Sequence, residues 1–454
     1  MRHIHEKKHS SVALDLRIMN THSLRLVTLA VFCGSFLGAQ SVDDTELKQV
    51  IIFGRHNVRA PVADNATLNR FSVKPFPSFG VDPGILTDNG AKLETILGGY
   101  YRLWLTKEGL LTGNDSADAN FVYFRANILE RTVESARRFA IGLLPAGGVN
   151  VNSYPSNESD PLFDPIGAGV AGLDPRKALA AVNGRLGDNG QSLTAAYASD
   201  LALVRSVLLG YPAGQVPPLT APAGVTDVAA IPIDITAGTP GLPVNVGGLM
   251  PIALAVDPFV MEYADGLPLS DVGWGQLSID GVSQTTRLYN LVIDIEGRTP
   301  YLAGVQSSNV ASHVVRSMVQ AATGNALAGA LGNPSTKVIV LVASDNNIGG
   351  LAGLLHLDWL LPGYQPDYCA PGGALVFELR QSQSTGEYIV RASYIAQTLD
   401  QLRNRTVLTL VAPPASAPVF VPGCSTGNAT FDCSLEKFVE VAKRAIEPRF
   451  AQTK

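Results

Sequence analysis

Residues 49–61 read Gln49-Val50-Ile51-Ile52-Phe53-Gly54-Arg55-His56-Asn57-Val58-Arg59-Ala60-Pro61, an apolar run that stops at two guanidiniums and an imidazole. An unbroken apolar run with no alternation suits a strand buried on both faces, and such strands belong to sheets covered by helices on either side. The polar cluster then falls at the strand's C-terminal edge, where open α/β sheets bind ligands. Arginine's planar fork fits the oxygens of a phosphoryl group, and a fixed cluster of such donors stabilises charge as it builds. Neighbouring positive charge also lowers a histidine pKa, so the ring of His56 keeps a nucleophilic nitrogen below neutral pH. The plainer alternative makes Arg55 and Arg59 partners in surface ion pairs and His56 a satisfied strand-end histidine; the remainder of the chain argues against it.

Working outward, a second compact apolar run, Lys337 to Val342, ends at Ala343-Ser344-Asp345. Ala374 to Leu379 and Tyr388 to Ala396 read as further strands after the turn-forming Pro371-Gly372-Gly373. Apolar spacings of three and four predict helices over about 91–107, 130–143, 308–330 and 434–447. Residues 210–250 are rich in Pro, Gly, Ala and Val and read as an irregular excursion. Strands alternating with helices at both ends of the chain, around an irregular middle, predict an α/β core with an inserted cap. The expected layout is a core from 40–150 and 290–454 and a mostly helical or irregular cap from 151–289.

The 454 residues are 46% hydrophobic and 16% charged, enough apolar material for a sizeable core and too little charge for general disorder. A formal charge of −5 lacks the basic footprint of a nucleic-acid binder. Residues 24–39 carry one arginine, a short apolar stretch and a small-residue end, the pattern of an export signal. Cleavage is expected after Ala39, with Met19 a better start than Met1, and the run is too short to span a membrane. A lipoprotein reading through Cys33 is opposed by bulky Phe32. Removing residues 1–39 deletes five basic and two acidic residues, which leaves 29 basic against 37 acidic and a net charge of −8. The mature protein is thus expected in the periplasm or outside the cell, where disulfides form; Cys424 and Cys433 close a short loop, and Cys369 is left odd.

Two motif matches mislead. His5-Glu6-Lys7-Lys8-His9 fits HExxH but lies upstream of the export segment, and Gly167-Ala168-Gly169-Val170-Ala171-Gly172 fits GxGxxG without a strand before it or a helix directly after it.

In order along nearly the whole mature chain, the sequence resembles the histidine acid phosphatases, branch 2 of the histidine phosphatase superfamily, and within them the bacterial 4-phytase/glucose-1-phosphatase group. The segment Arg55 to Pro61 matches the family's RHGxRxP, with Asn57 in place of Gly as in the glucose-1-phosphatases. Residues 86–101, Glu130-Arg131-Thr132, Asp160-Pro161-Leu162-Phe163, Gly273-Trp274-Gly275 and the tail from Gln397 are similar as well. The resemblance implies a three-layer fold, a central sheet flanked by helices with an inserted cap. It also implies hydrolysis of small phosphomonoesters, inositol or sugar phosphates, through a phosphohistidine, without a cofactor or metal. His56 would attack phosphorus; Arg55, Arg59 and Arg131 would hold its oxygens; Asp345 would give the alcohol its proton. The family's HD pair would put a histidine before Asp345, where this chain has Ser344. That hydroxyl is left to grip the phosphoryl group, or the pocket binds esters without turning them over, or it stands idle. Neither His313 nor His356 is placed to substitute: eleven helical residues beyond Asp345 carry His356 roughly 16 Å away.

Overall fold

At the middle of the fold lies β1 (Thr45–Arg55), the strand that carries the RHxxR cluster on its end. The computed structural model describes residues 43–212, 215–239 and 242–452, so the export segment and the HExxH match lie outside the described residues. Residues Asp44–Lys454 form one compact unit. The further strands, in chain order, are β2 (Val122–Ala126), β3 (Val151–Asn152), β4 (Asp234–Ala237), β5 (Val244–Gly247), β6 (Val338–Ala343), β7 (Ala374–Ser382), β8 (Tyr388–Ala396), β9 (Ala415–Val419) and β10 (Cys433–Ser434). The main sheet runs β10-β8-β7-β1-β6-β2-β3, with β9 also on β8, while β4 and β5 form a separate hairpin. The pairs β1–β6, β6–β2 and β2–β3 are parallel. On the other side, β7 joins β1 antiparallel, and β8 continues it antiparallel with β9 and β10 as partners.

The unbroken apolar run of β1 has the physical meaning expected of it. Alternate residues face opposite layers: Ile51 and Phe53 pack into one buried cluster and Val50 and Ile52 into the other. Helices Pro300–Thr323, Asp345–Leu355 and Leu435–Ala445 contribute to the first cluster, and Asp88–Lys107 and Glu130–Leu143 to the second. Strand β6 does likewise, with Ile339 and Leu341 on one side and Val338, Val340 and Val342 on the other. This is a three-layer α/β sandwich with its central strands sealed from water on both faces. The disulfide Cys424–Cys433 (Cα–Cα 5.2 Å) ties the final loop to β10, and Cys369 is a buried free thiol.

Several expectations need correction. The helix predicted over 308–330 begins at Pro300, where proline's missing N–H and fixed φ suit the first turn. It stops at Thr323 because Gly324 turns left-handed at φ 69°. The 210–250 excursion contains the β4–β5 hairpin and the 3₁₀ turn Val228–Ala230. The helix Ile279–Arg298 runs straight through residue 290, where the core was expected to resume. Helix Leu249–Asp265 escaped the periodicity reading because it is buried on nearly all sides and offers no polar face to set a period. Gly167–Gly172 lies in consecutive turns, as a loop.

Candidate active site

Parallel pairing of β1 with β6 brings the ends of two distant segments together. Arg55 pairs with Ala343 in register, and the His56 amide donates to the Ala343 carbonyl at 3.0 Å, so His56 and Asp345 leave the same sheet edge. Strand β2, parallel on the far side of β6, leads into helix Glu130–Leu143 and so delivers Arg131 to that edge. Sequence positions 56, 131 and 345 thus meet because three neighbouring strands point the same way. They line a cavity of about 210 Å³ with Arg59, Ser344, Asp257, Tyr289 and Glu296.

The loop after β1 is held by close backbone packing. Thr87 caps helix Asp88–Lys107 by accepting from the Gly90 amide at 2.9 Å. A Cβ at Gly90 would stand 2.1 Å from the Val58 carbonyl, so no other residue lets this helix approach the loop. Gly372 (φ +68°) likewise leaves room for Asn57, whose Nδ2 would lie 2.4 Å from any added Cβ. Asn57 itself does not line the cavity. Its Nδ2 donates to Glu94 Oε2 at 3.4 Å, its Oδ1 accepts from the Val58 amide at 2.9 Å, and its own amide donates to Ser135 Oγ at 3.1 Å. The substitution that set this chain beside the glucose-1-phosphatases therefore braces the loop from behind.

His56 is buried, and its Nδ1 lies 2.8 Å from the Asn57 carbonyl oxygen. A carbonyl only accepts, so Nδ1 carries the hydrogen and Nε2 keeps its lone pair. Burial first, and then the charges of Arg55, Arg131 and Arg59, hold the ring well below the usual histidine range. The neutral imidazole is thereby favoured. Asp345 is depressed too: burial works against its charge, but Arg55 Nη2 at 2.9 Å from Oδ2 and the Tyr289 hydroxyl donating at 2.8 Å outweigh it. With no ester bound, Asp345 is a carboxylate.

The three arginines are not equivalent. Arg55 lies beneath the cavity rather than on its wall, with Nη1 donating to the Cys369 carbonyl at 2.6 Å and Nη2 on Asp345. In this arrangement β1 turns the Arg55 side chain toward the layer that holds Cys369 and Asp345, where its guanidinium contacts both. Arg59 lines the wall in a two-point bridge to buried Asp257, at 2.6 and 3.0 Å. Arg131, also on the wall, donates to the Gly84 carbonyl at 3.4 Å and makes no ion pair among the described residues. Burial and the nearby Arg59 lower its pKa, yet a guanidinium stays charged at any working pH. Ser344 stands on the wall at the head of helix Asp345–Leu355, its amide donating to Asn347 Oδ1 at 3.2 Å.

The family description that matches is the histidine phosphatase superfamily (branch 2), over residues 46–204. The phytase AppA of Escherichia coli strain K12 is 28% identical over 416 residues, 90% of this chain and 94% of the relative. A glucose-1-phosphatase of Providencia rettgeri is 28% identical over 89% of this chain and 93% of its own. The solved structure of Hafnia alvei phytase in complex with tartrate superposes with a TM-score of 0.81 at 29% identity, covering 91% of this chain and all of that one. Residues 46–204 thus match branch 2 of the histidine phosphatase superfamily, and the likeness to phytases and a glucose-1-phosphatase runs along about nine-tenths of the chain. The same likeness makes it a hydrolase of the phosphatase and phytase kind.

Other family-like segments have structural work. Asp160 accepts from Arg125 at 2.7 Å and from the Leu162 amide at 2.8 Å; Phe163 stacks on Phe53, and its carbonyl accepts from Asn347 Nδ2 at 2.7 Å. The DPLF stretch thereby steadies the first turn of the helix that bears Asp345. Trp274 donates to the Pro75 carbonyl at 2.8 Å and packs on Phe76, pinning the 64–80 loop. His356 caps the far end of the Asp345 helix, and His313 Nδ1 meets the Gly329 carbonyl, so neither reaches the cavity. Sequence reading missed Asp257, Tyr289 and Glu296. Asp257 had a signal: a carboxylate inside the otherwise apolar run Leu249 to Val260 must find a buried cation. Tyr289 and Glu296 had none, because they reach the cavity through the packing of helix Ile279–Arg298.

Proposed function

We propose that the chain hydrolyses phosphomonoesters in two displacements at His56, the reading carried most directly by the His56 Nδ1 bond to the Asn57 carbonyl, which leaves Nε2 free to attack. In the first displacement Nε2 bonds to phosphorus, the bond from phosphorus to the alcohol oxygen breaks, and the alcohol departs with a proton. In the second, water takes phosphorus from the ring, phosphate leaves, and Nε2 regains its lone pair. Arg59, Arg131 and the Ser344 hydroxyl face the phosphoryl oxygens, while Arg55 acts through Asp345.

The proton requires care, because Asp345 begins as a carboxylate. A phosphomonoester loses its second proton near pH ~6. Below that the ester arrives as a monoanion, and docking sets its proton beside Asp345, which passes it to the leaving oxygen. The acid preference then belongs to the enzyme–ester pair, and the low His56 pKa keeps the nucleophile available throughout.

Relatives named phytase and glucose-1-phosphatase support inositol and sugar phosphates as the substrate classes to try first. Residues 151–289, read as a cap, supply Met250, Leu254, Asp257 and Tyr289 to the cavity, which supports a role for that segment in choosing the alcohol. A second reading, an ester-binding protein without turnover, is favoured by Ser344 alone. The export-type segment at 24–39 and the Cys424–Cys433 disulfide support a place outside the cytoplasm; no helix among the described residues is long and apolar enough to cross a membrane.

The test is p-nitrophenyl phosphate hydrolysis from pH 3 to 9. Activity should climb as pH falls through 6, and His56→Ala should lower kcat by on the order of 10⁴–10⁶. A rate that rises steadily toward pH 9, or a His56→Ala protein that still turns over, would sink the proposal.

A further inference from the structure

The cavity has two unlike halves. Arg59 and Arg131 are its guanidiniums, and no lysine is among the described residues that line it. A single phosphoryl group occupies both, and Arg59 is already shared with Asp257. The remaining lining is largely apolar: Val62 from the loop after β1, Met250 and Leu254 from helix Leu249–Asp265, and Val292 and Ile293 from helix Ile279–Arg298. Val62 and Met250 remain 45% and 36% exposed at the rim, so an apolar surface faces whatever enters.

The ionisable groups that helices Leu249–Asp265 and Ile279–Arg298 bring to the cavity are Asp257, Tyr289 and Glu296, none of them cationic. Glu296 has a buried Oε1 with no hydrogen-bond partner. Burial, then the charge of Asp345, pushes its carboxyl up to about 7, so in acid it is neutral. The charged and titratable groups around it are Asp345 from the helix that begins there, Asp257 from helix Leu249–Asp265, Tyr289 from its own helix, and Arg59, Arg131 and the neutral ring of His56 from the phosphate side. No cationic side chain among the described residues lines this side to receive a second phosphate.

We infer that the cavity selects singly phosphorylated esters whose alcohol carries an apolar group, such as a benzyl or alkyl chain, over polyphosphorylated rings and sugars. The inference rests on the phosphomonoesterase reading and narrows it. The phosphoryl group sits between Arg59, Arg131 and Ser344, while the alcohol lies against Leu254, Val292 and Ile293 with its outer end at Met250.

The test compares benzyl phosphate, glucose 6-phosphate and phytate at pH 5; the first two both lose a primary alcohol, so leaving-group chemistry is closely matched. Benzyl phosphate should exceed glucose 6-phosphate in kcat/KM by on the order of 10–100-fold, mostly through KM, with phytate lower still. Met250→Lys, at the exposed rim, should shrink the benzyl advantage several-fold and raise phytate turnover. Calorimetry with benzylphosphonate and methylphosphonate reads the same preference without turnover, and the benzyl compound should bind about tenfold tighter. Brisk hydrolysis with phytate or glucose 6-phosphate preferred would overturn this inference and leave the phosphatase reading standing. No hydrolysis of any ester, with benzylphosphonate still preferred, would sink the phosphatase reading alone. Equal binding of the two phosphonates would overturn the inference whatever the rates.

Discussion

The phosphate side of the cavity and the alcohol side are built by different means. The first rests on the ends of β1, β6 and β2, strands locked in parallel register and sealed by helices on both faces. The second rests on helices Leu249–Asp265 and Ile279–Arg298, which touch the first side through Asp257 on Arg59 and Tyr289 on Asp345 and otherwise face it across the cavity. The cationic side chains are concentrated on the strand side and most of the apolar lining on the helix side. Chemistry shared by every substrate is thus fixed by sheet topology, and the choice among substrates is left to surfaces that vary without disturbing the sheet.

Removing Arg131 is the sharpest way to break this division. Arg131→Ala should reduce kcat/KM by about 10²–10³, by the same factor for benzyl, sugar and inositol esters. A loss that differed strongly between esters would place Arg131 on the alcohol side. Ser344→His adds a cationic donor to the strand side and should raise kcat by about tenfold, again without regard to the alcohol. An unchanged or lower kcat in a folded variant would show that Ser344 is not where the phosphoryl group lacks a donor.

The third prediction concerns what stands behind each side. Burial pushes Glu94, which accepts from Asn57, and Glu262, which accepts from the Gly273 amide, up to about 8 from their ordinary value of 4.5. Each binds more protons folded than unfolded, so its contribution is full below the unfolded value and is lost as pH rises toward 8. The slope is about 1.4 kcal/mol per pH unit for each group. Denaturation midpoints should therefore fall between pH 5 and 8. Glu94→Gln keeps an acceptor for Asn57 and should remove one group's share of that slope; a variant with the full wild-type slope would contradict the assignment.

What was legible in the sequence follows the same division. Val50 to Phe53 and Val338 to Val342 announced themselves because burial on both faces leaves no polar alternation, and residues just past their ends line the cavity. Arg55 was legible as a member of the cluster but not as a support for Asp345, since only the fold shows which way its side chain turns. The helix that carries Asp257 has no polar face to betray its period. Tyr289 and Glu296 lie on a more regular helix, yet nothing in their neighbours says which face meets the cavity. Long-range packing, unlike strand burial, writes no local pattern.

The central claim is that His56 carries the phosphoryl group during turnover. The direct measurement is a rapid alkaline quench, which preserves phosphohistidine, during hydrolysis of p-nitrophenyl phosphate, followed by peptide mass spectrometry. One phosphoryl group on Nε2 of His56, formed and lost at rates compatible with kcat, is the expected result. Steady product release with His56 unmodified at every time point would contradict the account.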